Sequence, residues 1–228
     1  MDARPHRKVR SFVRRPGRIT AAQQRALDSL LPRFAVAFEA RRVDLDAAFG
    51  RAAPRVLDIG FGDGEALVST AAAHPEIDYL GVEVHEPGVG HLLIMLERAR
   101  LENVRVIVHD AVEVIGTMLP DAAFAAINLF FPDPWPKKRH HKRRLVQPRF
   151  LALAAAALEP GGTLRIATDW HNYAEHIDEV IAQSDAFTVT ERREHAGDRP
   201  LDRLVTRFER RGLAQGHRIT DWCLTRKR

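Results

Sequence analysis

Cysteine is nearly absent. Cys223 is the single one in 228 residues, so neither an intramolecular disulfide nor a cysteine-built metal site can form. Long apolar runs are missing as well. Leu151 to Leu158, among the longest, falls well short of the ~18 residues a membrane-crossing helix needs, so no transmembrane span is expected. Serine is sparse and no apolar stretch follows the arginine-rich start, which argues against a transit peptide or a twin-arginine signal; with the lone cysteine this fits a reducing cytoplasm. The histidines give no ligand spacing, since His140 and His141 are adjacent and His171 and His176 are five apart, so no metal is expected.

What is plentiful is positive charge, and it is gathered. The formal net charge is only +5, yet residues 1–18 hold seven Arg or Lys against one Asp. Lys137, Lys138, Arg139, Lys142, Arg143 and Arg144 form a run that no acid interrupts, and Arg226, Lys227 and Arg228 add three more cations. The rest of the chain is therefore acidic. Three separate basic segments on an acidic body imply a polyanionic partner, with nucleic acid the leading one. The terminal trio alone reads as a solvated end.

At 228 residues the chain fits one α/β domain, a class that commonly runs to about 200–250 residues. Residues 1–54 read as a basic extension with a helix from Ile19, where Thr20 and Gln23 have capping-box spacing. From Arg55 short apolar runs alternate with helical stretches, the pattern of βα units around a parallel sheet. Strands are expected at Arg55–Gly60, Tyr79–Val84, Arg105–His109, Ala123–Phe131, Thr163–Thr168, Phe187–Glu191 and Ile219–Thr225. Helices are expected from Glu65 and from Pro87, near Ala111–Met118, over Pro148–Leu158 and around Tyr173–Ser184.

The first expected strand runs into Gly60, Gly62 and Gly64, a G-x-G-x-G trio directly before a helix. The dinucleotide fingerprint places its third glycine one residue later, so a methionine-bearing nucleoside fits this turn better than a dinucleotide. A glycine trio alone also describes any tight βα turn. Acids at the ends of five successive strands, Asp58, Glu83, Asp110, Asp133 and Asp169, add weight, because ligands of open α/β sheets bind outside the carboxyl ends of the strands. Individually each could be a helix cap. In this reading Glu83 accepts ribose hydroxyls and Asp110 lies near an adenine amino group.

The most specific stretch is FFPDPWPKKRHHKRR, Phe130 to Arg144. Asp133 sits between two prolines, which fix φ and cannot continue a ladder, so the chain leaves its strand abruptly and turns its next side chains outward. With LDIGFGDG, GVEVH, HDAVE, ATDW and TRFERRG, this segment resembles the bacterial tRNA (guanine-N7)-methyltransferase family, over nearly all of positions 10 to 228. The resemblance implies a class I methyltransferase fold, Rossmann-like, with a mostly parallel sheet of about seven strands and helices on both faces. It implies S-adenosylmethionine as methyl donor, tRNA as partner, and a variable-loop guanosine as acceptor. No metal and no membrane are expected, the chain is taken as a monomer or homodimer, and no obligate partner subunit is evident in the sequence. It assigns cofactor binding to Asp58, Gly60, Gly62, Gly64, Glu83, Asp110 and Asp133. Lys137, Asp169, Thr206, Arg207, Phe208 and Glu209 fall in its substrate set, and Arg139, His140, His141, Lys142, Arg143 and Arg144 in its RNA-contacting run. Asp58 departs from it, since the family commonly has Glu there; the shorter arm reaches the methionine end directly or through water.

Guanine N7 carries an in-plane lone pair in the neutral base and needs no proton removed before it attacks a methyl group. Positive charge then grows on the purine, so a carboxylate beside it stabilises the transition state more than the ground state. Asp133 is the candidate catalytic residue, and Trp135 the candidate stacking platform. Three alternatives are carried: methylation of an exocyclic amine, whose N-P-P-Y type motif the segment matches at two of four positions; a catalytically silent RNA-binding protein on a methyltransferase fold; and a nicotinamide oxidoreductase, disfavoured by the glycine spacing.

Overall fold

The computed structural model describes residues 18–197 and 203–228. The basic arm, residues 1–17, lies outside them. Among the described residues seven strands, β1 (Arg55–Ile59), β2 (Asp78–Glu83), β3 (Val104–Val108), β4 (Phe124–Phe130), β5 (Leu158–Thr168), β6 (Phe187–His195) and β7 (Ile219–Arg226), form one sheet in the order β3-β2-β1-β4-β5-β7-β6. β1 to β5 are parallel. β7 runs antiparallel between β5 and β6. The order reverses between β1 and β4, which pair directly, and that reversal is where an α/β sheet opens a crevice at its carboxyl edge.

The helices are α1 (Ala21–Ser29), α2 (Leu31–Phe34), α3 (Leu45–Phe49), α4 (Glu65–Ala73), α5 (Glu86–Ala99), α6 (Ala111–Glu113), α7 (Pro148–Ala157), α8 (His171–Ala182) and α9 (Arg207–Ala214). One apolar cluster joins Leu67 and Ala71 of α4 and Leu92, Leu93 and Leu96 of α5 to Tyr79, Val104 and Val106 of the sheet. A second unites Phe150 and Leu151 of α7 and Tyr173, Ile177 and Val180 of α8 with Ile127, Leu129, Leu164, Ile166 and Trp222. Both faces are thus covered, and β2 is buried at all six positions, as a strand roofed on two sides must be.

The expected Thr20–Gln23 capping box is present, with Gln23 N donating to Thr20 Oγ1 over 3.2 Å and Thr20 N to Gln23 Oε1 over 2.9 Å. The described part of the first 54 residues packs into these same two clusters. Phe34 is fully buried, worth about 1.5–3 kcal/mol for a side chain of its size, and Val36 N bonds Val106 O beyond the β3 edge. α1 lies against α5 at Gly90, where an added Cβ would stand 2.9 Å from Gln23 O, and Gln23 Nε2 bonds Pro87 O.

α3 was not expected, β6 runs on to His195 rather than ending near Glu191, and three further elements close to the site depart from the sequence expectation. α9 was not expected: its buried positions are Glu209 and Gly212, so it carries no apolar stripe, and its only sequence signal is the Thr206-x-x-Glu209 capping box. β5 begins at Leu158 rather than Thr163, because Glu159-Pro160-Gly161-Gly162 is a register shift against β4 and not a turn that ends pairing. The basic run, for which no element was expected, is wound into a 3₁₀ helix at Lys138–Arg143.

Candidate functional site

β1 delivers the chain into Gly60, Gly62 and Gly64, whose φ angles are 72°, 64° and 81°, a left-handed sequence that any other residue would enter with strain. The room beside them differs. A Cβ on Gly60 would meet nothing within 4 Å, whereas one on Gly64 would fall 2.7 Å from Leu92. α5 closes in from behind, since a Cβ on Gly88 would lie 2.0 Å from Gly62 O. The loop is therefore backed by a helix and open in front.

Glu83, the last residue of β2, is 9% exposed and already engaged with that loop. Its Oε2 accepts from Gly62 N at 3.0 Å, and Oε1 from Val84 N at 2.7 Å and His85 N at 3.0 Å. Asp110 is a helix cap, its Oδ1 accepting from Val112 N and Glu113 N at 2.9 and 3.1 Å. Asp58 stands directly opposite Asn128 in the β1–β4 register and hydrogen-bonds its side chain. Burial pushes the Asp58 carboxyl up to about 7, the Asn128 bond opposes this, and the nearby Glu83 charge adds to it. Asn128 Oδ1 is buried and has no hydrogen-bond partner among the described residues.

Between about 3.8, where the unfolded carboxyl ionises, and about 7, the folded chain holds a proton that the unfolded chain has lost. The Asp58 contribution to stability is complete below that window and is lost as pH rises through it. Urea midpoints measured at pH 5 and pH 8 should therefore fall more steeply for the native chain than for Asp58→Asn; equal slopes would contradict the shift.

A cleft of about 340 Å³ opens beside the loop, with Asp58, Asn128, Phe130 and Arg165 on its floor, Phe61 and Asp63 on one wall and Leu204 to Phe208 on the other. Across its mouth Arg207 stands 3.7 Å from Asp63, and Arg210 3.5 Å from Glu65. Leu204, Val205 and Phe208 are exposed apolar side chains on that second wall. Thr206 and Glu209 complete a capping box at the head of α9, and Glu209, 1% exposed, is ion-paired with Arg203. Asp169, directly after β5, meets α9 as well: its Oδ2 lies 3.0 Å from His217 Nδ1, and a Cβ on Gly212 would fall 2.7 Å from it.

Beyond β4 the backbone turns sharply. Phe131 and Trp135 take φ of 53° and 46°, uncommon for side chains of this size, and they bracket Pro132-Asp133-Pro134. Asp133 is exposed. Trp135 is half-buried rather than a core indole, with the Arg143 guanidinium 4.9 Å from its ring centre and the His140 ring edge-on at 5.7 Å. Lys137, Lys138, Arg139 and Lys142 are exposed, and His141 and Arg143 partly so. Desolvation and the flanking Arg139, Arg143, Lys137 and Lys142 hold His140 below the usual imidazole range.

Arg144 differs from its neighbours. It is 3% exposed, donates to Pro134 O at 2.9 Å, Asn172 O at 3.2 Å and Asn172 Oδ1 at 2.8 Å, and lies over the Tyr173 ring. Its guanidinium faces the protein and ties the Asp133 turn to α8. Two further residues near the site escaped the sequence reading, Asn128 and Arg203. Asn128 could have been found as a polar residue at an alternating position of an apolar strand; nothing local marks Arg203. No group of three or more His, Cys, Asp or Glu side chains suited to a metal occurs among the described residues.

The family model described as "Putative methyltransferase" matches residues 52–222. The tRNA (guanine-N(7)-)-methyltransferase of Alkalilimnicola ehrlichii is 54% identical over 220 residues, covering 94% of this chain and 91% of the relative. That of Thiobacillus denitrificans is 52% identical over 225 residues, covering 99% and 97%. Among solved structures, the 16S rRNA methyltransferase KamB superposes with a TM-score of 0.59 at 15% identity, over 80% of this chain and 94% of that one, and so bears on the fold alone. With half of its residues shared over nearly the whole length, the chain belongs to the tRNA (guanine-N(7)-)-methyltransferase family.

Proposed function

We propose that this protein transfers a methyl group from S-adenosylmethionine to N7 of a guanosine in the variable loop of tRNA. The observation that carries the reading is the Asp133 turn, an exposed acid set by two left-handed residues at the carboxyl end of β4 and followed at once by the cationic 3₁₀ helix. Base chemistry and phosphate binding are adjacent there. The relatives bearing the same activity in their names, about half identical over nearly the whole chain, support it.

The residues present fit the methyl donor. Gly60 leaves open space against the loop, and the orphaned Asn128 Oδ1 adds an acceptor beside the Asp58 carboxyl. Glu83 keeps one acceptor site, on Oε2, for a ribose hydroxyl, Asp110 retains an oxygen outside its cap for an exocyclic amine, and Asp58 with Asn128 suits an ammonium group. Bound there, S-adenosylmethionine supplies a methyl group made electrophilic by its sulfonium sulfur. The acceptor nitrogen loses no proton, so the protein's work is alignment and charge: Trp135 stacks the extruded base, and Asp133 faces the positive charge that develops on it. Lys137, Asp169, Thr206, Arg207 and Phe208 line the approach, with Glu209 holding Thr206 in place, and the exposed cations hold the phosphates. A tRNA substrate puts this work in the cytoplasm.

The direct test is transfer from labelled S-adenosylmethionine to unmodified tRNA, with the product nucleoside identified by mass spectrometry. 7-Methylguanosine is expected; an amine-methylated nucleoside, or no transfer despite tRNA binding, would overturn the reading. The run makes a second prediction. Replacing Arg139, Lys142 and Arg143 together with alanine should reduce the slope of log affinity against log salt by about 2–3, since each phosphate contact contributes roughly 0.7–0.9. Arg144→Ala should leave that slope unchanged and lower stability by about 2–3 kcal/mol, because it strips buried hydrogen bonds.

A further inference from the structure

Arg203 carries an enclosed guanidinium at the edge of the cleft, and it has no part in the steps of transfer given above. Its side chain is 4% exposed. Nε donates to Asp221 Oδ1 at 2.7 Å, and NH1 is paired with Glu209 Oε2. The carboxylates themselves are 3% and 1% exposed, so one cation is clamped between two buried anions. Asp221 in turn receives His195 Nε2 at 2.8 Å, which ties β6 and β7 into the group. The guanidinium carbon lies 5.2 Å from the Phe130 ring centre and 5.4 Å from that of Phe131.

These contacts join the two halves of the site. Phe130 ends β4, and Phe131 is the strained residue from which the Asp133 turn departs. Glu209 is the acid of the capping box that holds Thr206 at the head of α9 and with it the wall from Leu204 to Phe208. Across the cleft mouth, by contrast, that wall meets the glycine loop and the head of α4 through the Arg207–Asp63 and Arg210–Glu65 approaches, a kind of contact worth little in water, and through the exposed Phe208 ring beside Gly62. Its fixed end is Arg203. We propose that Arg203 is a positioning residue for methyl transfer, setting the Asp133 turn and the Thr206–Glu209 wall in one arrangement through its stack on Phe130–Phe131 and its pair with Glu209. This rests on the methyltransferase reading above. Arginine suits the role because a planar fork can stack on rings and bind two carboxylates at once; a lysine keeps the charge but does neither fully.

The test compares the native enzyme with Arg203→Lys and, as a milder change that leaves Arg203 in place on Glu209, Asp221→Asn. Four quantities are read: kcat at saturating tRNA and S-adenosylmethionine, the two dissociation constants, and hydrogen exchange by mass spectrometry. For Arg203→Lys, kcat should fall about a hundredfold, the effect of a misplacement near 1 Å, with both dissociation constants within about threefold. Exchange should rise in segments 130–137 and 203–212 and stay unchanged in β1 to β3. Asp221→Asn should show the same pattern at about a tenth of the loss. Native kcat in Arg203→Lys, or a rise in exchange spread evenly over the sheet, would overturn the proposal. If the native enzyme methylates another atom, the function falls, while Arg203 is judged on that product; if it methylates nothing, the exchange pattern decides by itself.

Discussion

Asp133→Ala should lower kcat for tRNA methylation by about 10²–10³-fold, the range seen when one preorganised electrostatic partner of a transition state is removed. S-adenosylmethionine and tRNA affinities should hold within a few-fold, because the carboxylate meets positive charge that exists only as the methyl moves. The structure puts the effect at this residue for a conformational reason. Phe131 and Trp135 accept left-handed backbone on either side of it, and strain of that kind costs about 1–3 kcal/mol per residue unless the surroundings enforce it. Phe131 is enforced by Arg203, and Pro134 by Arg144 through its carbonyl. Asp133→Asn separates charge from shape: it should be nearly as slow as alanine if charge is the contribution. Turnover within tenfold of native in either variant would remove Asp133 from the chemistry.

Glu83→Ala should weaken S-adenosylmethionine binding by roughly a hundredfold. With three of its acceptor sites taken by backbone amides, the carboxylate has one left on Oε2, and a hydrogen bond to a charged group is worth up to about 3 kcal/mol, each 1.4 kcal/mol being tenfold. The substitution also frees Gly62 N, Val84 N and His85 N, so a lower melting temperature accompanies the loss. Calorimetric titration at 25 °C checks the affinity on folded protein. Unchanged affinity with lowered stability would leave Glu83 as a support of the glycine loop and nothing more.

The sheet and most of its helices were legible because their burial follows period: β1 to β4 are apolar runs of strand length, and α5 and α8 carry apolar stripes. The five strand-end acids were legible by position, yet position did not distinguish their conditions. Asp110 caps a helix, Glu83 is buried against backbone amides, Asp58 is held toward neutrality, and Asp133 is solvent-exposed. Arg144 shows why. Its sequence neighbours make it one of six cations, and only the return of α8 beneath the turn places Asn172 and Tyr173 where they enclose it. α9 and Arg203 were illegible for a related reason: their partners Asp169, Asp221 and Phe130 come from three other strands or strand ends, and no local window contains them.

The placing of β7 has a consequence for synthesis. It follows β6 in the chain, yet it lies between β5 and β6 and is, among the described residues, the one strand partner of β6. A nascent chain that has emerged only through β6 can assemble the parallel half, with β5 as a raw edge and β6 with no neighbour to pair. Ribosome-bound intermediates stalled before Ile219 should therefore recruit chaperones or self-associate through β5, since an open strand edge is a template for other strands. Trp222 and Asp221 arrive with β7, so the buried clamp on Arg203 closes in the same event that finishes the sheet.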